Sequence, residues 1–139
     1  MSDKKPTANE FREDGVKLAM EMAEDFDVTL DFSHDSIKNV DRVLGEFHED
    51  YAKTKNEKGL VGIAIAFAAY IVSVIERNST PGEWKRNDPD LGEETFPFDW
   101  HGTTIFPVGW CLKRMIDGKQ DSVWFKYKTI VLDKIGKKE

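Results

Sequence analysis

Three histidines, one cysteine and a Glu-Arg pair are where chemistry could begin in this chain. His48 stands in Glu46-Phe47-His48-Glu49-Asp50. On a helix its face neighbours are Leu44, Gly45, Tyr51 and Ala52, none of which ligates a metal, so no metal pair forms there. His34 falls at a helix start, where capping accounts for it. Cys111 lies between Val108 and Met115 on the apolar side of a helix and reads as a buried, inert thiol. His101 follows Trp100 in a turn and is the histidine with the character of a site residue. Glu76-Arg77 closes a long apolar stretch and reads as the charged rim of a pocket.

Around these residues the strongest concentration is aromatic. Trp84, Phe96, Phe98, Trp100, Phe106 and Trp110 fall within 27 residues. At strand spacing such rings cover a small sheet as core. The competing reading leaves some of them exposed as a patch or pocket, because Trp and Tyr concentrate binding energy. The candidate binding residues are therefore Glu76, Arg77, Trp84, Trp100 and His101. No catalytic set is legible. Gly-rich phosphate loops and the Gly-x-Ser-x-Gly elbow are absent from the sequence, and nothing in it calls for a cofactor.

The elements that must position these residues follow from spacing. Phe11, Val16, Ala19, Met20, Ala23 and Phe26 mark a first amphipathic helix over about residues 8–26, after a frayed start at 1–8. Val28, Leu30 and Phe32 alternate with polar residues, the period of a half-buried strand. Ser33 or Asp35 can cap the next helix, whose stripe is Ile37, Val40, Leu44, Phe47 and Tyr51. Residues 59–75 carry no charge and predict a central core helix. The run is somewhat short of the roughly 20 residues that span a bilayer, so no membrane is expected. Gly62, Ala66, Ala69 and Ser73 share one face of it and would admit a close neighbour.

After the turn at Asn78–Gly82, Glu83–Arg86, Glu94–Trp100 and Thr103–Phe106 predict short strands, with His101-Gly102 as a two-residue hairpin turn. Pro107 opens a helix and Gly118 closes it. Asp121 caps a last helix striped by Val123, Trp124, Tyr127, Ile130, Val131 and Ile135. The whole predicts a single α+β domain over 1–139, mainly helical. About five helices surround a central apolar one, beside a small antiparallel sheet.

Some of these residues carry a likeness. Leu30-Asp31-Phe32-Ser33 precedes Asp35-Ser36-Ile37, Asp41 and Leu44. Ala69-Tyr70 lies in an apolar helix ending at Glu76-Arg77, and Pro81-Gly82-Glu83-Trp84 follows. Ile105-Phe106-Pro107, Lys113-Arg114 and Gly118…Asp121-Ser122-Val123 complete the pattern. Over about residues 27–130 the chain resembles a family of small uncharacterised bacterial proteins, some of which look like immunity or accessory proteins. The resemblance implies a fold more than a function, because its elements are mostly caps, a turn and a helix start.

Charge narrows the partners. The 139 residues carry a net charge of −6, and the imbalance sits in residues 1–58, which hold 15 acids against 9 bases. Such a surface disfavours nucleic acid, which needs Lys and Arg against its phosphates. It suits a basic protein partner. The lone cysteine, and a start without an apolar leader, predict a cytoplasmic protein. The first functional expectation is a non-catalytic protein-binding module of the immunity or adaptor kind. The alternative is a small-molecule binder or enzyme at the aromatic sheet. A homodimer through the aromatic patch is compatible with either.

Overall fold

A computed structural model describes residues 8, 10, 12–87 and 95–136. Phe11 and Glu94 therefore lie outside the described residues. Helix α1 spans Arg12–Glu24. Asp27 then adopts a left-handed φ of 61°, and the Val28 amide donates to the Ala23 carbonyl at 2.9 Å, a Schellman-type stop.

Val28 to Phe32 is not a strand, contrary to its alternation. Its side chains do alternate, with Val28 and Leu30 buried and Thr29 and Asp31 exposed. No strand pairs with it among the described residues. Phe32, at φ 64°, turns the chain, and its amide donates to the Tyr70 hydroxyl at 2.9 Å. The period reports burial on one side; a ladder also needs a neighbour.

Helix α2 spans Ser36–Thr54. Of its two candidate caps, Ser33 acts: its hydroxyl accepts from the Ser36 amide at 3.1 Å. Asp35 makes no such bond. Helix α3, Leu60–Asn78, is the core helix, with Ala66 through Val72 buried without a break. It is long and apolar enough to cross a membrane, yet 61% of its most apolar window is already covered by the rest of the protein. That fits the core helix of a soluble protein.

The predicted close approach on α3 exists. A β-carbon built on Gly15 of α1 would lie 2.9 Å from the Ala69 Cβ and 3.6 Å from the Ala66 Cα. Arg12 pairs with Glu76 further along the same two helices, so α1 and α3 run antiparallel. Gly62 is the exception on that face, with nothing within 4 Å of where its β-carbon would be.

Strands β1 (Glu83–Trp84), β2 (Phe98–Trp100) and β3 (Thr103–Ile105) form an antiparallel sheet in that order. Trp100 faces Thr103, leaving His101 (φ 51°) and Gly102 (φ 73°) as the two-residue turn, whose paired positive φ values match the twist of the strands. Helix α4 spans Pro107–Asp117, and Gly118 at φ 94° closes it.

The last helix differs from expectation in its cap. Asp121 belongs to a short 3-10 turn, Lys119–Asp121, and Ser122 caps α5 (Val123–Lys126) by accepting from the Phe125 amide. The helix continues as a π-helical stretch, Tyr127–Leu132, which keeps Tyr127, Val131 and Leu132 buried.

Candidate functional site

The five sequence candidates occupy two neighbouring places at one end of α3. Glu76 is the tie between them. One carboxylate oxygen takes the Arg12 guanidinium, and the other accepts the Gly82 amide at 2.8 Å. It thereby pins the start of α1 and the run into β1 to the end of α3. Arg12 in turn lies 5.9 Å from the Trp84 ring centroid.

Arg77 stacks on Phe32, 3.6 Å from guanidinium to ring centroid, a cation–π contact. With Arg12, Lys17, Met20 and Ser73 these residues line an open groove of 750 Å³ along α1. Arg77 thus borders this groove at the end of α3. Glu76 does not line the groove.

Trp84 and Trp100 are each 2% exposed. The aromatic cluster is core: Phe96 and Phe98 are buried too, and the Trp84 indole N–H donates to the Phe96 carbonyl at 3.2 Å. The rings of Trp84, Phe98 and Trp100 in β1 and β2 are thus turned away from solvent. The Trp100 indole nitrogen is buried with no hydrogen-bond partner among the described residues. His101 is exposed, packs edge-on against Trp100 at 4.4 Å between centroids, and shares a hydrogen bond of 2.9 Å with the Thr80 hydroxyl. Trp100 and His101 line a second, shallower hollow of 470 Å³ with Glu83 and Asp99. Asp99 is already engaged: Thr104 and Lys85 both bond it and hold its carboxyl below the usual range.

The other chemistry-bearing residues are structural. His48 Nδ1–H donates to the Met115 carbonyl at 2.8 Å and joins α2 to the end of α4. His34 is not a cap; its Nδ1 pairs with the Tyr127 hydroxyl at 2.5 Å. Burial raises the pKa of Tyr127 and of Tyr70, whose hydroxyl also pairs with Ser36 at 2.6 Å. Cys111 is fully buried, and desolvation pushes its thiol far above the ordinary range, which removes the thiolate a nucleophile needs. No cluster of three or more metal ligands exists among the described residues.

Two features escaped the sequence reading. Arg114 is almost wholly buried, and its Nε donates to Asp41 Oδ1 at 2.7 Å. Asp41 Oδ2 accepts the Ser122 hydroxyl at 2.6 Å, and the carboxylate faces the Val123 and Trp124 amides at 3.3 and 3.4 Å. One carboxylate thus joins α2, α4 and the start of α5. A glycine inside a helix was the available signal: a β-carbon on Gly45 would lie 2.7 Å from Arg114 Nη2.

The second feature is a pair of exposed apolar side chains on packed helices. Leu18 is 46% exposed and Val61 52%. The antiparallel register set by Gly15 against Ala66 and Ala69 brings the second half of α1 alongside the first turns of α3. Leu18 and half-buried Met22 lie in that half of α1, and Val61, open Gly62 and half-buried Ile65 in those turns of α3. Exposed Asp14, Glu21 and Asp25 surround Leu18 at helical spacing.

Comparison with protein-family models, with curated proteins and with solved structures gives no match to this chain.

Proposed function

We propose that this protein is a non-catalytic binding module, in the manner of an immunity or adaptor protein, and that it docks a basic amphipathic helix on the face shared by α1 and α3. The observation that carries this reading is Leu18. It is a large apolar side chain left 46% exposed on α1. Binding energy concentrates in a few apolar anchors ringed by polar residues, and Leu18 within Asp14, Glu21 and Asp25 has that form. The acids supply selectivity for a cationic partner and speed its approach. Gly62, with nothing within 4 Å of where its β-carbon would be, leaves room for a partner side chain on α3.

A synthetic Leu/Lys amphipathic helical peptide tests the reading by calorimetry. Binding should weaken in about 0.5 M NaCl, as exposed charges are screened. It should weaken roughly tenfold or more in Leu18→Ser, which keeps every acid in place. Absent binding, or binding that Leu18→Ser leaves unchanged, would overturn the assignment.

A further inference from the structure

On an acidic protein, the junction of α2, α4 and α5 is locally basic. Lys38, Arg42, Arg114 and Lys119 converge with Asp41 and Ser122 on a cavity of 400 Å³. Asp41 is its sole acid, and both of its oxygens are occupied by Arg114, Ser122 and two backbone amides. It has little left to offer the three outer cations. Among the described residues Lys38 pairs with Asp35, at 3.7 Å with both groups well exposed, and sits 4.9 Å from the Trp124 ring centroid. Behind them the Arg114 side chain is 9% exposed, and its Nη1 has no hydrogen-bond partner among the described residues. A buried guanidinium with an unused donor, behind three exposed cations at a concave surface, is an incomplete electrostatic arrangement.

We propose that this cavity binds a phosphate dianion, free or as the monoester of a small molecule. Arg42 and Lys119 close on its outer oxygens, and Lys38 moves toward it from the Trp124 ring. The Ser122 hydroxyl sits in the wall with Asp41 as its acceptor. Arg114 fixes the floor and supplies positive potential from within, where screening is weakest. The size suits a small ligand. This site is separate from the α1–α3 face and stands or falls independently of it.

Trp124 is the half-buried tryptophan, whereas Trp84, Trp100 and Trp110 are no more than 8% exposed. Its emission therefore reports movement of Lys38. Inorganic phosphate and glycerol 3-phosphate are titrated separately into the full chain, with chloride at matched ionic strength as reference. The expected result is a saturable change in tryptophan emission, with Kd on the order of 1 mM or below. It should be lost in the double variant Arg42→Glu/Lys119→Glu, whose two altered residues are exposed and leave the core intact. Equal responses to both probes assign the site to free phosphate, and a tighter response to glycerol 3-phosphate assigns it to monoesters. A response no greater than chloride's, or one that survives in a folded double variant, overturns the proposal. Amide chemical shifts of the double variant establish that it is folded.

Discussion

Gly15 of α1 lies directly on Ala69 of α3, so closely that a β-carbon on Gly15 would stand 2.9 Å from the Ala69 Cβ. Real β-carbons do not approach that near, so any side chain at position 15 must push the two helices apart. Ala66 forms the other wall, its Cα 3.6 Å from the same point. Gly15→Ala would gain about 1 kcal/mol of helix propensity and lose more through overpacking. A net loss of roughly 1 kcal/mol is expected for it, and about 1–3 kcal/mol for Ala66→Leu. Urea unfolding measures both. A wild-type midpoint in Ala66→Leu would contradict the close packing of α1 on α3.

Asp41 and Arg114 should prove strongly coupled. Asp41→Ala leaves a buried guanidinium without its carboxylate, at a cost of about 3–5 kcal/mol. Arg114→Met alone strands a half-buried carboxylate that still holds Ser122, and should cost less. The double variant Asp41→Ala/Arg114→Met should recover part of the loss from Asp41→Ala. A double-mutant cycle on unfolding free energies reads the coupling, and additive losses would mean that the pair contributes nothing of its own.

Cys111 should resist thiol reagents in the native state. Full burial and a thiol pKa raised by desolvation keep it protonated and out of reach at pH 8. Ellman's reagent should therefore react at the rate of unfolding, and faster as urea is added. Immediate stoichiometric reaction of the folded protein would contradict the burial of α4's inner face.

Asp99 gives a small pH signature. Its pKa is lowered first by the Thr104 hydroxyl and then by Lys85. A carboxyl depressed on folding stabilises the native state above its unfolded pKa, near 4, and that contribution is lost as pH falls through the folded value. Lys85 and Asp99 are both more than a third exposed, so salt should weaken their part of it. Carboxyl carbon NMR should show the Asp99 pKa rising in Thr104→Val; an unchanged value would deny the hydrogen bond.

Much of the fold is legible because its signals are local. The helical stripes of residues 37–51 and 108–116, the Pro107 start and the Gly118 stop are properties of neighbouring residues. So is the His101-Gly102 hairpin. Where the reading failed, the deciding partner was remote. Val28 to Phe32 alternates but has no strand beside it, because Phe32 turns toward Tyr70, 38 residues on. Ser122 rather than Asp121 caps the last helix, where Asp41, 81 residues earlier, also holds its hydroxyl. The candidate residues split for the same reason. Arg77 borders an open groove, while Trp84 and Trp100 fill the core, and strand spacing alone does not say which side of a small sheet is covered. Leu18 lies off the apolar stripe of the first helix, and how far it is exposed depends on neighbours that only the fold places.

The α1–α3 docking face is tested most directly by amide chemical-shift mapping of the labelled protein during titration with the Leu/Lys helical peptide. The docking account predicts that saturable shifts cluster at Leu18, Met22, Val61 and Gly62. Trp100 to Thr103 of the hairpin should stay unmoved. Shifts centred on the hairpin, or spread evenly over every acidic stretch, would contradict it.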